Sequence, residues 1–154
     1  MAYILIVDDD EIVAQIVSER LIAAGYGCGW ITDGDEALAL LKWRRPDLIL
    51  LDQNMPGKTG SMVLREMRGS PQFYDLPVIM FTAIEGEADE DQARYYGAQG
   101  YVRKPFDAPV LLWKIRQVLK ARESRSAHRD LKPPELSGAA PKTASGGRNG
   151  MRYC

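Results

Sequence analysis

The sequence has few of the residues that build metal clusters, disulfide frameworks and membrane spans. Its 154 residues include two cysteines, Cys28 and Cys154, and one histidine, His128. Two cysteines make neither a disulfide framework nor a zinc-site spacing, and one histidine cannot form a histidine-rich cluster. No apolar run approaches the roughly 20 residues that cross a bilayer, and the N-terminus lacks the basic start of a signal peptide. We therefore expect a cytoplasmic protein.

The residues that are present have the composition of an ordinary globular domain. Hydrophobic residues make up 45% and charged residues 27% of the chain, which excludes collagen-like and wholly disordered proteins. From Ser124 onward the sequence becomes rich in Ser, Ala, Gly and Pro, with an excess of Lys and Arg. Such a segment buries too little apolar surface to offset the entropy of ordering. We predict one domain over residues 1–123 and a flexible, disordered basic tail over residues 124–154.

Apolar patterning in residues 1–123 alternates between two periods. Short continuous apolar runs predict buried strands, and apolar residues at three- and four-residue spacing predict helices between them. The predicted strands are 3–7, 28–32, 48–51, 77–81 and 100–102. The first predicted helix begins at residue 10 or 11 and ends by 25, and the second begins at 33 or 35 and ends by 46. The other predicted helices cover residues 61–68, 85–96 and 107–122. Five strand–helix units in alternation predict an α/β fold, a doubly wound parallel sheet with helices on both faces.

Polar residues follow these strands at the edge where doubly wound sheets bind ligands. They are Asp8, Asp9 and Asp10 after the first strand, Asp52 after the third, Thr82 after the fourth, and Lys104 after the fifth. Carboxylates gathered at one edge disfavour each other's ionisation, and a divalent cation removes that conflict. A set of oxygen ligands suits a hard ion, which we predict to be Mg²⁺. Such a site can admit a phosphoryl group, with Lys104 balancing its charge and Thr82 donating a hydrogen bond.

Four sequence segments carry these residues in a distinctive order. They are Ile-Leu-Ile-Val-Asp-Asp-Asp near the N-terminus, Leu-Ile-Leu-Leu-Asp-Gln-Asn-Met-Pro-Gly around Asp52, Val-Ile-Met-Phe-Thr-Ala around Thr82, and Gly-Tyr-Val-Arg-Lys-Pro-Phe around Lys104. Together they resemble the receiver domain of two-component response regulators. The resemblance covers about residues 2–122 and implies a single CheY-like domain of the flavodoxin type, with five parallel strands.

The resemblance also implies a ligand set. Asp52 would accept a phosphoryl group from a phosphohistidine on a partner protein. Mg²⁺, with Mn²⁺ able to replace it, would be held by Asp9, Asp52 and the backbone carbonyl of Asn54, and Asp8 would assist through water.

A switch is implied by the same resemblance. Thr82, Ala83 and Lys104 would contact the phosphoryl group, Thr82 would turn inward, and Tyr101 would follow it. The peptide bond before Pro105 would be cis, which costs little at proline.

The resemblance implies a signalling switch rather than an enzyme, one that catalyses only its own phosphorylation and dephosphorylation. The phosphoryl donor would be a sensor histidine kinase or a histidine phosphotransfer protein. An unknown downstream protein would bind the face built from the predicted helix 85–96, the fifth strand and the last helix, and phosphorylation could drive homodimerisation. We expect no direct DNA binding, because the tail is too short and polar for an output domain.

Four alternatives stand beside this interpretation. The chain could be a phosphorelay intermediate that passes its phosphoryl group onward, or a degenerate receiver that binds partners without phosphorylation. An aspartate-nucleophile phosphatase is disfavoured because the second acid it needs, two residues after the nucleophile, is here Asn54. A nucleotide- or flavin-binding domain is disfavoured because aspartates replace the glycine-rich turn after the first strand.

Overall fold

Strands and helices follow one another in the predicted order in this computed structural model, which describes residues 1–82, 94, 96–130 and 152–153. The strands are β1 (Tyr3–Val7), β2 (Gly27–Ile31), β3 (Leu48–Leu51), β4 (Val78–Thr82), β5 (Gly100–Arg103) and β6 (Arg152–Tyr153). The helices are α1 (Glu11–Ala23), α2 (Gly34–Leu41), α3 (Gly60–Arg68) and α4 (Ala108–Asp130). The helix predicted over 85–96 lies outside the described residues except at positions 94 and 96.

All six strands belong to one sheet, in the order β5-β4-β3-β1-β2-β6. The first five are parallel. Their order, 2-1-3-4-5 along the sheet, is that of a flavodoxin-type doubly wound fold, in which ligands bind where the strand order reverses. Here that point lies between β1 and β3. The predicted fold class is confirmed.

The C-terminal region differs from the prediction. A sixth strand, β6, pairs antiparallel with β2, and α4 continues to Asp130 although its predicted end was residue 122. Residues 121–130 contain neither glycine nor proline, so no helix breaker stands before Pro133. The division of the chain at residue 123 stays a prediction. In the described part of the chain, no helix combines the length and the apolar character that crossing a bilayer requires.

Two apolar clusters cover the two faces of the sheet. Because side chains alternate along a strand, Leu5 and Val7 of β1 pack with α2 and α3, whereas Ile4 and Ile6 pack with α1 and α4. All four residues of β3 are at most 1% exposed. Burial on both faces explains why the central strands read as continuous apolar runs.

Three helices begin at the carboxyl edge of the sheet with a side-chain cap. Asp10 accepts hydrogen bonds from the first-turn amides of α1, Asp33 from an amide of α2, and Thr59 from an amide of α3. Such caps satisfy amides that have no partner within the helix. The loops that join strands to helices are therefore held in place at this edge.

Candidate functional site

The acidic residues of the site are placed by two neighbouring strands. Asp8 directly follows β1 and Asp52 directly follows β3, and these strands pair with Val7 opposite Leu51. The amide of Asp52 donates to the carbonyl of Val7 at 2.8 Å, and the amide of Asp8 donates to the carbonyl of Ile31 at 3.1 Å. The sheet hydrogen bonds thus extend to both aspartates and fix where their carboxylates emerge.

Three carboxylates meet at this point. One oxygen each from Asp8, Asp9 and Asp52 lies within 4.8 Å of the others. Asp8 is 1% exposed and Asp52 is 4% exposed, whereas Asp9 is exposed to solvent. This cluster offers hard oxygen ligands, with one side open to water. Those are the features that suit Mg²⁺, which binds few protein carboxylates and retains several waters.

Lys104 supplies the positive charge of the site. Its Nζ lies 2.6 Å from Oδ2 of Asp8 and 3.6 Å from Oδ2 of Asp52. The ammonium also lies 5.1 Å from the ring centroid of Phe81, which packs edge-on against Phe106. The Lys104 side chain is 17% exposed, so its attraction to the carboxylates is screened less than at an open surface.

Backbone amides hold the other oxygens of the two buried carboxylates. Oδ1 of Asp8 accepts from the amide of Asp10 at 2.9 Å, and Oδ1 of Asp52 accepts from the amide of Asn54 at 3.3 Å. The second contact brings the Asn54 backbone beside the Asp52 carboxylate. Each buried carboxylate is thus oriented by one amide and faces Lys104 with its second oxygen.

The pKa of Asp52 is raised from 3.8 to about 6, and burial is the largest cause. The nearby negative charge of Asp8, and to a smaller extent that of Asp9, contributes to this rise in pKa, whereas Lys104 and the Asn54 amide act in the opposite direction. Desolvation and like charges both disfavour the ionised form. The metal-free site therefore holds a carboxylate whose ionisation costs free energy.

This cost predicts a pH-dependent gain in stability for Asp52→Asn in the absence of metal. The folded protein binds a proton at Asp52 more readily than the unfolded chain, so ionised Asp52 destabilises the fold above pH 6, and the penalty disappears as the pH falls toward 3.8. At pH 7 with EDTA, we expect the variant to exceed the wild type in free energy of unfolding by about 1–2 kcal/mol. Urea unfolding at pH 7 and pH 5 measures this difference.

The difference should shrink at pH 5, and Mg²⁺ should remove it at pH 7 by stabilising the wild type alone. Asp33→Asn is the control, because Asp33 caps α2 and is not one of the three clustered carboxylates. An advantage of Asp52→Asn that is independent of pH would contradict this electrostatic account.

The other residues that the sequence analysis assigned to the site are Thr82, Ala83, Tyr101 and Pro105. Thr82 ends β4, paired with Arg103 of β5, and Ala83 lies outside the described residues. The Lys104–Pro105 peptide bond is cis. Tyr101 is 5% exposed and packs in the apolar cluster on the α2 and α3 side of the sheet. The structure thus brings Asp8, Asp9, Asp52 and Lys104 into one site.

Two residues that the sequence analysis did not single out shape this site. A Cβ on Gly60 would lie 2.3 Å from the backbone oxygen of Asp52, so only glycine lets α3 begin so close to the phosphoacceptor candidate. Oε1 of Gln53 accepts from both the amide and the hydroxyl of Ser61 at 2.7 Å. The glycine directly before the predicted third helix was the available signal for the first contact. No feature of the sequence predicts the hydrogen bonds between Gln53 and Ser61.

Comparison with known proteins identifies the family. The family model of the response regulator receiver domain matches residues 4–116. This chain belongs to that family. The receiver domain is 38% identical over 120 residues to the DNA-binding dual master transcriptional regulator RpaA of Synechocystis, covering 78% of this chain and 50% of the relative. It thus spans about half the length of that curated relative.

Solved structures agree with this assignment. The chemotaxis protein CheY4 of Vibrio cholerae superposes with a TM-score of 0.72 at 36% identity, covering 77% of this chain and 98% of the other. A putative response regulator from Chloroflexus aurantiacus gives a TM-score of 0.74 at 31% identity, with coverages of 77% and 98%. The receiver domain therefore has relatives of the same fold along nearly their whole length.

The expectation that direct DNA binding is absent was wrong. The regulator from Synechocystis that matches this receiver domain is described as DNA-binding. The exclusion rested on the length and polarity of residues 124–154. A short polar tail after a receiver domain does not decide whether a protein of this family binds DNA.

Proposed function

We propose that this receiver domain accepts a phosphoryl group on Asp52 in a Mg²⁺-dependent reaction and acts as a signalling switch. The observation that carries the proposal is the burial of Asp52 among Asp8, Asp9 and Lys104, with the Lys104 Nζ 3.6 Å from an Asp52 oxygen. The donor would be a phosphohistidine on a histidine kinase or a histidine phosphotransfer protein. A cytoplasmic location stays a prediction of the sequence.

In this proposal, a carboxylate oxygen of Asp52 attacks phosphorus, the phosphorus–nitrogen bond to the donor histidine breaks, and the imidazole leaves with that electron pair. Asp9, Asp52 and the carbonyl of Asn54 would hold Mg²⁺, with Asp8 assisting through water, and the bound ion would neutralise charge on the transferring group. Lys104 would shift from the carboxylates toward the incoming phosphoryl oxygens. Such positioning and charge balance account for most of the catalysis in phosphoryl transfer.

The conformational response would begin at the phosphoryl oxygens. An acyl phosphate adds negative charge and strong hydrogen-bond acceptors at one point. Thr82 and Ala83 would follow these oxygens from the end of β4, and Tyr101 on the neighbouring strand β5 would report the movement. The domain would catalyse only its own phosphorylation and the loss of its own phosphoryl group.

Incubation with acetyl phosphate and Mg²⁺ tests the proposal. We expect the intact mass of the wild type to increase by one phosphoryl group and that of Asp52→Ala to remain unchanged, because the proposal assigns the acceptor oxygen to Asp52, which lies beside Asp8, Asp9 and Lys104. Asp75→Ala is the matched control, since Asp75 pairs with Arg45 outside the cluster. Phosphorylation of Asp52→Ala at the wild-type level, or none in the wild type, would contradict the proposal.

A further inference from the structure

A cavity lies at the amino edge of the sheet, opposite the edge that carries Asp52. Its volume is about 390 Å³. One wall is formed by residues directly before strands, Pro77 before β4 and Gln99 before β5, and the other wall is formed by one face of α4. Small-molecule sites have volumes of about 300–1,000 Å³ and combine apolar walls with a few polar groups. This space, which we call the α4 cavity, is therefore large enough for a small organic ligand.

Two arginines of α4 line this cavity. Arg122 and Arg125 are three residues apart and so lie on the same face of the helix. Nη1 of Arg122 donates to the backbone carbonyl of Asp47 at 3.0 Å, which fixes this guanidinium and engages one of its five N–H donors. Planar guanidinium groups bind phosphate through two parallel hydrogen bonds. The pair therefore favours an anion, and its two positive charges match a phosphate dianion better than a single carboxylate.

An acid, Asp75, also lines the cavity, but it is already paired. Nη2 of Arg45 lies 2.8 Å from Oδ1 of Asp75. Burial would raise the pKa of Asp75, but the hydrogen bond and charge of Arg45, together with the charge of Arg122, outweigh burial and lower this pKa. Asp75 is thus an ionised partner of Arg45. Among Arg45 and the lining residues of the cavity, positive charge therefore exceeds negative charge.

Apolar and amide groups form the rest of the wall. Pro77 is buried and Val118 is half-buried, and these side chains offer an apolar surface to a flat ring. Oε1 of Gln99 accepts from the amide of Val78 at 2.8 Å and from Nη2 of Arg68 at 3.0 Å. Because these donors engage the oxygen, a ligand would meet the side-chain NH₂ group of Gln99, which donates to oxygen or ring-nitrogen acceptors.

We propose that the α4 cavity binds a small phosphate monoester that carries an aromatic ring, a ligand with the chemistry of a nucleoside monophosphate. The guanidinium groups of Arg122 and Arg125 hold the phosphate. The ring lies against Pro77 and Val118, where Gln99 donates to one of its polar atoms. Inorganic phosphate would fill only a small part of the volume, and a neutral nucleoside would leave the arginines without a counter-charge. Both parts of the ligand therefore contribute to binding.

An NMR titration of the full-length protein in EDTA tests this proposal with AMP, adenosine and inorganic phosphate as probes. We expect AMP to bind about tenfold or more tightly than either of the others, because each of them lacks one of the two parts. Amide shifts should change most at Gln99, Val118 and Ala121 and should stay unchanged at Asp8 and Asp9. Binding of inorganic phosphate as tight as that of AMP would show an adventitious ion only and would overturn the proposal. Equally tight binding of adenosine, or no binding of AMP, would overturn it as well.

Matched variants of α4 test the role of the guanidinium groups. Arg125→Gln should weaken AMP binding about tenfold, because it removes charge-assisted hydrogen bonds to the phosphate. Lys120→Gln removes the same charge from an exposed position of the same helix that does not line the cavity, and it should change the affinity by no more than about twofold. Equal effects of the two variants would indicate a general attraction of anions to the helix and would contradict the assigned site. Because Asp52 lies at the opposite edge of the sheet, neither result depends on its phosphorylation.

Discussion

Replacing Lys104 with methionine should lower the free energy of unfolding at pH 7 without metal by about 3 kcal/mol. The ammonium stands between the carboxylates of Asp8 and Asp52, which are 1% and 4% exposed, and methionine leaves both negative charges uncompensated. Removing one partner of a buried ion pair costs far more than removing one at the surface. Urea unfolding in EDTA, compared with the wild type, measures the loss.

Lys58→Met is the matched control for this prediction. Lys58 also contacts two carboxylates, those of Asp35 and Glu66, but these acids are 71% and 52% exposed. We expect this variant to lose far less stability than Lys104→Met, because ion pairs with exposed acids contribute little. Saturating Mg²⁺ should restore most of the stability lost in Lys104→Met, because a cation again compensates the carboxylates. Equal losses in the two variants, or a loss in Lys104→Met that Mg²⁺ does not reduce, would contradict the charge assignment.

Replacing Gly60 with alanine should cost about 3 kcal/mol of stability and should also slow phosphorylation of Asp52. The new Cβ would lie 2.3 Å from the Asp52 backbone oxygen and 2.9 Å from its carbonyl carbon. Contacts this short with backbone atoms force either α3 or the end of β3 to move. The Asp52 carboxylate would then lose its position relative to Lys104. Thermal unfolding and the rate of mass gain with acetyl phosphate measure the two effects.

Gly69→Ala is the control for backbone entropy and helix propensity. Gly69 caps the other end of α3 with a φ of −82°, and a Cβ there would meet its nearest neighbour at 3.6 Å, an ordinary contact. This variant should be within about 0.5 kcal/mol of the wild type and should be phosphorylated at the wild-type rate. A Gly60→Ala protein that matches Gly69→Ala in both measurements would show that the close approach has no consequence.

The central part of the fold could be predicted from apolar patterning. Residues 3–7 and 48–51 are continuous apolar runs, and both form strands with the predicted bounds because both of their faces are covered by helices. Element ends were less predictable. The last helix continues to Asp130 because a scarcity of apolar residues does not stop a helix, whereas glycine or proline does. Strand β6 depends on contacts with a distant strand, which composition does not encode.

The residues that form the candidate site could be predicted from the sequence, but their pKa values and contacts could not. The positions of Asp8, Asp9, Asp52 and Lys104 directly after strands were enough to predict that they converge. The raised pKa of Asp52 follows from burial and from neighbouring charges, which depend on three-dimensional distances. The close approach of Gly60 and the contact of Lys104 with Phe81 likewise required coordinates.

By itself, the sequence determined that this chain folds as a parallel α/β sheet and collects aspartates and a lysine at one edge, because hydrophobic periodicity and strand ends are local properties of the chain. Only the tertiary structure decided which oxygen of each aspartate faces the lysine, how far each carboxylate is removed from water, and which strand covers the edge of β2. Those quantities are set by the packing of segments that are far apart in sequence, and electrostatic energies change steeply with such distances and with burial.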